Sequence, residues 1–450
     1  MRTVKWNPFL SGVVMLLGGV LLWAGAASAD ISSTNPAAIV VFPKIVVDTT
    51  GYISENVTGK VRKVDTVIQL TNTNTDPNSP PVNVRCFYVN ANGHCSNDQT
   101  VICDPGQPAI DFCPSGDYCV AGWVENDFYI TLTVGQPVVW TVSQGLTNAD
   151  FPLISNSGIG GQLNGISSIP PSSEDPMIGE LKCVEVGTDW MPVDSNDLKG
   201  EATIEILPSP SGSGIDIEGY NAIGIQALKQ CSGGTTLCNV DADCQPDEGT
   251  CSVTVNNADD TLCLGTDPTP TSSCPTGAEY NGCPNYLILD HFFDDALDGA
   301  ALPDGDPLGS KVETLLTLVP CSEDFLLQTC VTTTVQYLVY NEFEQRFSTS
   351  RPLTCFSELQ LSDIDTRLGD DPSNNYASIF NVAVEGTLTG QTLIHGVDNS
   401  SVHPAGNGLL GVVHEFHRLE GTVYSAAYML ALRGARAQGD IVQLPVPTQQ

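Results

Sequence analysis

The chain has 450 residues, 41% of them hydrophobic, which is enough for two or three domains of about 150 residues, each with its own core. Its 52 acidic residues against 17 basic ones give a formal net charge of −35. Such a charge repels the phosphate backbone of nucleic acids and anionic lipid headgroups, so it argues against partners of both kinds.

The N-terminus has the pattern of a secretory signal. Arg2 and Lys5 precede an apolar run over residues 9–23, and the small residues 27–29 precede Asp30. The run is shorter than the ~20 apolar residues of a membrane helix, and no later stretch qualifies. We therefore predict a signal peptide at 1–29 and a secreted product (periplasmic, cell-surface or extracellular) without membrane insertion.

Most of the remaining sequence predicts short strands separated by turn residues. Val64–Leu70 and Val82–Val89 form a predicted hairpin around an Asn, Thr and Pro-rich turn. This spacing favours an all-β sandwich over βαβ units, and further strands are expected at 128–133, 137–142, 180–186, 201–207 and 222–228.

An apolar segment at 39–47 lies just inside the predicted mature N-terminus. Because Pro43 cannot donate to a sheet, we expect an edge strand of its own domain rather than a central strand. A strand that completes the sheet of a neighbouring molecule is the alternative.

Five sequence matches, in the same order, suggest that the C-terminal half repeats the N-terminal half. They indicate two tandem β-sandwich (Ig-like) domains at 30–230 and 286–450. The matched segments are 64–70 with 312–318, 84–90 with 335–341, 136–138 with 351–353, 198–200 with 409–411, and 220–222 and 227–228 with 424–426 and 431–432. On this alignment Tyr220 corresponds to Tyr424, and Cys86 to Tyr337.

Two clusters of cysteines lie within and between the two predicted domains. The first is a predicted insertion at 95–119, placed where the second half has only 347–350, and the second opens a predicted linker at 231–285. Their members are Cys95, Cys103, Cys113 and Cys119, and Cys231, Cys238, Cys244 and Cys251. The segment 238–251 resembles the short cysteine-rich repeats of secreted bacterial proteins, which implies an extracellular location.

The sixteen cysteines predict disulfides rather than metal sites. The closest two are separated by five residues, whereas structural zinc sites pair cysteines two to four residues apart. We expect the four cysteines of each cluster to pair among themselves. Elsewhere we expect a disulfide between two strands, Cys86 with Cys183, and a disulfide that closes a hairpin loop, Cys321 with Cys330.

Two segments show helical features. Leu287, Phe293 and Leu297 can share one helix face, which allows a short helix over 286–297. Residues 424–437 are rich in helix-favouring Ala, Leu, Met and Arg, but their match to 220–228 favours a strand, and we predict a strand there.

No catalytic motif is evident. His414 and His417 are three residues apart on a predicted strand and would point to opposite faces, unlike the His-Glu-x-x-His pair of a zinc protease helix. No nucleophile elbow or phosphate loop occurs, and the acidic residues are too many to single out a pair. The sequence therefore predicts a binding or structural protein with an unknown extracellular ligand or surface component; the alternative is a secreted hydrolase, active on carbohydrate or peptide, with an unrecognised site.

Calcium is the one cofactor that the sequence suggests. Asp241, Asp243, Asp247 and Glu248 cluster on a loop between cysteines, and residues 304–306 form a second acidic turn. Carboxylates on a constrained loop suit calcium, although neither spacing completes an EF-hand. Solvated acidic turns with no cofactor are the alternative.

Overall fold

The part of the chain that the structure describes is almost entirely β-structure, with 56% of its residues in strands and 3% in helices. This confirms the predicted all-β class. The computed structural model describes residues 31–53, 61–103, 112–147, 168–207, 215–234, 236–238, 241–254, 260–272, 274–294, 311–365, 378–381, 388–397, 407–419, 422–436 and 439–446. The predicted signal peptide and the acidic turn at 304–306 lie outside these residues.

The strands are numbered in chain order. The first half contains β1 (Ile31–Ser32), β2 (Ile39–Val47), β3 (Lys63–Asn72), β4 (Val82–Asn90), β5 (Gly93–Cys95), β6 (Ile102–Cys103), β7 (Cys119–Val120), β8 (Val124–Leu132), β9 (Pro137–Thr141), β10 (Leu146–Thr147), β11 (Ser168–Ile169), β12 (Met177–Val186), β13 (Leu198–Leu207), β14 (Asp216–Asn221) and β15 (Ile223–Ile225). The middle segment contains β16 (Lys229–Cys231), β17 (Leu237–Cys238), β18 (Cys251–Thr254) and β19 (Thr261–Leu264). The second half contains β20 (Tyr286–Phe292), β21 (Lys311–Pro320), β22 (Glu323–Asp324), β23 (Thr332–Asn341), β24 (Arg346–Thr354), β25 (Ser357–Gln360), helix α1 (Leu361–Ile364), β26 (Thr389–Val397), β27 (Leu409–Leu419), β28 (Thr422–Met429), β29 (Ala431–Arg433) and β30 (Asp440–Gln443).

Each half contains two facing antiparallel sheets with the same strand order. In the first half the sheets run β1-β15-β2-β12-β4-β8 and β14-β13-β3-β9. In the second half they run β29-β20-β26-β23-β24 and β28-β27-β21-β25. Strand by strand, the two halves therefore correspond, apart from the extra edge strand β1.

Apolar side chains of both sheets meet between them in each half. Phe42, Leu181 and Trp140 belong to the core of the first half, and the Trp140 Nε1–H group donates to the Tyr88 hydroxyl at 2.5 Å inside it. The second half has a separate core, which includes Leu318. Burial of these side chains is the main force that holds each pair of sheets together.

The register of the paired strands gives residue-level correspondences. Leu70 on β3 lies opposite Gly200 on β13, and Leu318 on β21 lies opposite Gly411 on β27. Leu70 corresponds to Leu318, and Gly200 to Gly411, in the sequence matches 64–70 with 312–318 and 198–200 with 409–411. Gly200 is required by packing, because a Cβ atom there would lie 2.4 Å from the ring of Phe42.

The tyrosine match is correct in strand and wrong in register. Tyr220 lies opposite Ala202 on β13, two residues beyond Gly200. The corresponding position opposite Val413 on β27 is Tyr428, whereas Tyr424 lies four residues earlier on β28. Residues that differ by four share a face of a strand, so the alternating pattern alone could not choose between the two tyrosines.

One sequence match, and the insertion point derived from it, are wrong. Pro137 begins β9, whereas Pro352 lies on β24, which corresponds to β8. The predicted counterpart 347–350 of the cysteine insertion lies inside β24. The insertion actually occupies the β4–β8 connection, where the second half has only the short turn 342–345 between β23 and β24.

The N-terminal strand β2 is central, not an edge strand as predicted. It lies between β15 and β12, and its register shifts so that Pro43 and Lys44 fall together opposite one residue of β12. A bulge of this kind accommodates a proline that lacks an N–H group. The Lys44 N–H group donates to the Tyr220 hydroxyl at 3.1 Å, and that hydroxyl donates to the Lys44 carbonyl.

The predicted helix over 286–297 is wrong, because residues 286–292 form strand β20. Its buried residues alternate, with Leu287 and Leu289 inside and Asp290 exposed, which is the period of a strand. The strand predicted over 424–437 is present as the end of β28 and β29.

The predicted linker at 231–285 carries strands of its own. β16, β17 and β18 form a small sheet, and β19 pairs with the C-terminal strand β30, which also pairs with β22. The middle segment therefore joins the second half through main-chain hydrogen bonds. No helix within the described ranges is long and apolar enough to cross a membrane.

All sixteen cysteines form disulfides. Cys86 pairs with Cys183, directly opposite on β4 and β12, as expected from the sequence. Each cluster also pairs internally, through Cys95–Cys113, Cys103–Cys119, Cys231–Cys244 and Cys238–Cys251, and Cys263 pairs with Cys274.

The predicted Cys321–Cys330 disulfide is wrong. Cys321 pairs with Cys283, and Cys330 pairs with Cys355. Cys330 precedes β23 and Cys355 follows β24, and the antiparallel register places Thr332 opposite Thr354. The two cysteines therefore meet at one end of this hairpin.

Peptide mapping without reduction should reproduce these pairs. We expect one linked peptide containing Cys283 and Cys321 and another containing Cys330 and Cys355. A peptide that links Cys321 to Cys330 would contradict the fold of the β21–β24 region.

Candidate functional site

The predicted calcium residues lie on an exposed loop of the middle segment. Asp241 and Asp243 belong to a 3₁₀ turn, and the Asp241 carboxylate accepts a hydrogen bond from the Cys251 N–H group at 2.8 Å. Glu248 accepts from the Thr236 hydroxyl at 2.5 Å and from the Gln245 N–H group at 3.0 Å. Two of the four carboxylates, including that of Glu248, thus support the loop itself.

Potential metal ligands converge elsewhere. Three groups in the described part of the chain bring ligand atoms within 4.8 Å of one another, and all three consist mainly of cysteines that form disulfides. None of these groups contains the four loop carboxylates. Calcium binding at this loop therefore stays a prediction from the sequence.

The two close histidines point to opposite faces of β27, as expected. His417 contacts the Phe292 ring edge-on, with centroids 6.2 Å apart, and bonds Glu415 at 2.6 Å. His414 is buried and bonds Glu218 on β14 of the first half. Burial and the positive charge of Lys44 lower the pKa of His414, while the hydrogen bond to Glu218 acts in the opposite direction.

This contact belongs to a larger set of ionisable side chains buried where the two halves meet, which we call the inter-half charge cluster. Its members come from both halves and are at most 7% exposed: Lys44, Glu180, Lys182, Glu218, Glu323, Glu358 and His414. Buried charges of this kind need partners, because losing water costs several kcal/mol per ion.

Two lysines of the first half find their partners in the second half. Lys44, in the β2 bulge, lies 2.8 Å from Glu358 on β25, which also accepts from the Thr317 hydroxyl at 2.7 Å. Lys182 on β12 pairs with Glu323 on β22. Each ion pair spans the boundary, so neither half can satisfy its own charges alone.

Glu180 lies beside the Lys182–Glu323 pair and is fully buried. Burial raises the pKa of Glu180 well above its ordinary value, and the negative charge of Glu323 raises it further. A neutral Glu180 leaves one lysine and one carboxylate in charge balance.

An open cavity lies at one end of the second half, and we call it the end cleft. Its volume is about 470 Å³. Strands β20, β23, β26 and β27 line it, with side chains that include Asp290, Phe292, Tyr340, Glu342, Gln391 and Glu415. This volume falls within the range of small-ligand sites.

Hydrogen bonds hold the polar side chains of the end cleft in place. The Gln391 amide donates to Asp290 Oδ1 at 2.7 Å, and the Thr389 N–H group and hydroxyl donate to Glu342 Oε1 at 3.0 and 2.7 Å. Glu415 Oε1 is bonded to His417. One oxygen of each carboxylate remains without a hydrogen bond to the described residues.

A second cavity, of about 310 Å³, lies between the cysteine insertion and the second half. Its polar groups are already engaged: the Asn92 amide donates to Glu174 and to the Pro176 carbonyl, both at 2.8 Å, and accepts from the Ile178 N–H group at 3.1 Å. Glu358 belongs to the inter-half charge cluster. This cavity therefore offers mainly apolar contacts.

The sequence analysis missed both the inter-half charge cluster and the end cleft. A signal for the cluster was present, because Lys44, Glu180 and Lys182 interrupt strands that are otherwise apolar. Charged residues in such strands indicate buried pairs. No comparable signal marked the end cleft, since its residues come from four strands distant in sequence.

Comparison with known proteins identifies no family. No family model matches the chain, and no curated protein matches it. Among solved structures, the crystal structure of Thermotoga maritima 1070 is 8% identical and covers 34% of this chain and 98% of that protein, with a TM-score of 0.20. A likeness this weak carries no argument about fold or function.

Removing one member of a buried pair should destabilise the protein strongly. Lys182→Met leaves Glu323 buried without its counter-ion, and we expect a loss of about 3–5 kcal/mol in the free energy of unfolding. The double variant with Glu323→Leu should recover most of this loss. As a control, Lys311→Met removes a partly exposed pair with Glu313 and should cost less than about 1 kcal/mol. Equal losses for both variants in denaturant titrations would contradict the buried pairing.

Stability should fall as the pH rises above neutrality. Burial raises the pKa of Glu185 to about 8, so between its ordinary value and pH 8 the folded state holds a proton that the unfolded state has lost. The free energy of unfolding then decreases by about 1.4 kcal/mol per pH unit for this carboxyl. Denaturant titrations from pH 6.5 to 8 should show this slope, and Glu185→Gln should reduce it.

The pH range of that experiment is chosen to exclude an opposite effect. Burial lowers the pKa of His291 to about 4. Below about pH 6.5 the imidazole is therefore protonated in the unfolded state but not in the folded state, and the free energy of unfolding decreases as the pH falls. A slope of zero above pH 6.5, or one unchanged by Glu185→Gln, would contradict the prediction.

For the acidic loop, melting in millimolar calcium and in chelator is the direct test. Binding to the folded form alone should raise the melting temperature. Both samples need matched ionic strength, because screening alone stabilises so acidic a chain. Identical melting temperatures would identify the carboxylates as solvated turn residues.

Proposed function

We propose that the protein is exported and acts outside the cytosol as a disulfide-stabilised binding or structural protein. The observation that carries this proposal is the pairing of all sixteen cysteines into eight disulfides. Such bonds persist in oxidising compartments and are rare in the cytosol. The secretory pattern at 1–29 supports the same location.

We also propose that the two halves are tandem immunoglobulin-like domains that arose by duplication. Their identical strand order and the corresponding pairs Leu70–Gly200 and Leu318–Gly411 support this. In this view the cysteine insertion and the middle segment are later additions to a repeated sandwich.

A binding role is supported by the way the two halves are joined. Ion pairs buried between them, such as Lys182 with Glu323, hold both halves in one fixed orientation. A rigid body that presents the end cleft to solvent needs no hinge to bind a ligand. The end cleft is the best candidate for the binding position, because its polar groups are already oriented.

Three measurements on the native protein test this proposal. The mature N-terminus should begin at Asp30, thiol alkylation before reduction should label no cysteine, and the protein should fractionate outside the cytosol. Polysaccharide and peptide panels should show binding without turnover. Recovery of a reduced cytosolic protein would contradict export, and turnover that is lost on substitution in the end cleft would instead establish a hydrolase.

A further inference from the structure

The larger sheets of the two halves, with six strands in the first and five in the second, differ in what covers their outer faces. In the first half, Val41, Lys182 and Phe87 form one row across β2, β12 and β4. The second half covers this row: Glu323 pairs with Lys182, and the Phe325 ring stacks on Phe87 with centroids 4.3 Å apart. All three residues of this row are buried.

The corresponding row of the second half is Ile288, Leu393 and Leu338, across β20, β26 and β23. Correspondence follows from the strand order and from Asn90 and Asn341, the last residues of β4 and β23. All three side chains are partly exposed and belong to none of the three described cores. Leu393 occupies the position that corresponds to Lys182 in the first half. This row therefore has no positive charge that could form an ion pair like that of Lys182 with Glu323.

Aromatic and amide side chains flank this apolar row. On one side, Tyr286 is 40% exposed and stacks on the His395 ring at a centroid distance of 4.6 Å, and Gln336 follows on β23. On the other side, Gln391 lies between Asp290 and Tyr340. The second row leads into the end cleft, since its three residues also line that cavity.

We propose that this face and the end cleft together form a binding site for a neutral polysaccharide. We call the two parts the sugar face, comprising Tyr286, Ile288, Gln336, Leu338, Leu393 and His395, and the end cleft as defined above. The proposal rests on the proposed binding function and names its ligand class.

The chemistry of the site matches a sugar chain in two respects. Pyranose rings have apolar C–H faces that pack on aromatic and aliphatic side chains, and hydroxyls at their edges that bond to amides and carboxylates. The sugar face supplies the first kind of surface. The end cleft supplies the second, through Gln391 and the carboxylate oxygens of Asp290 and Glu342 that face no described partner.

Charge selects a neutral ligand over an anionic one. No lysine or arginine is among the described residues that line the end cleft, which contains three carboxylates. With a net charge of −35, the protein repels anionic polymers and a second copy of itself at long range. A neutral polysaccharide is not repelled in this way.

Retention on insoluble cellulose, chitin, xylan, starch and mannan tests the proposal directly. The oxidised full-length protein should bind at least one of them, with little change between 0.05 and 0.5 M salt. Tyr286→Ala and Tyr340→Ala should each weaken binding about tenfold. The matched control is Tyr118→Ala, because Tyr118 is 68% exposed in the cysteine insertion, away from the site, and this variant should bind as the wild type does.

Four outcomes would overturn the proposal. They are no retention on any of the five polymers, retention unaffected by both tyrosine variants, steep weakening by salt that indicates a cationic ligand, and a dimer that Leu393→Asp dissociates. Melting curves and non-reducing peptide maps confirm that each variant is folded. An exported, oxidised protein that binds no polymer would overturn only the ligand class, whereas a reduced cytosolic protein would overturn the proposed function.

Discussion

The first half contains lysines that only the second half can neutralise. Lys182 lies on β12, a strand that is buried on both faces, and its side chain is only 1% exposed. An unpaired charge in that position would cost several kcal/mol. Glu323 supplies the counter-ion from β22, so the fold of the first half is complete only after the second half has docked in one orientation.

Packing between the halves follows from the same constraint. Val412 of β27 contributes to the core of the first half, and a further apolar cluster combines Phe87 of β4 with Phe325 and Val442 of the second half. The middle segment adds β19, paired with β30. Apolar packing between the halves thus extends across the domain boundaries that were drawn from the sequence.

Local patterns in the sequence were sufficient to predict most of the long strands but not β20, and long-range contacts decided the remainder. The pairs Leu70–Gly200 and Leu318–Gly411 could be matched because a glycine and an apolar run repeat together. Pro43 argued for an edge strand because a bulge bonded to Tyr220, 176 residues away, leaves no local trace. Cys321 was assigned its nearest neighbour in sequence, whereas the β23–β24 hairpin brings Cys330 to Cys355.

Equivalent positions in the two halves show how a shared strand order can serve two purposes. Lys182 in one half and Leu393 in the other occupy the same place in the sheet, but only the lysine requires a covering carboxylate. The sheet of the second half has no buried lysine at this position, so no counter-ion needs to cover it. Along β20 and β26, buried residues alternate with more exposed ones, as in a sheet with one solvated face. The apolar residues retained there, Ile288, Leu338 and Leu393, belong to none of the apolar clusters of the described residues. Their place beside the end cleft is the reason for proposing a binding role for this face.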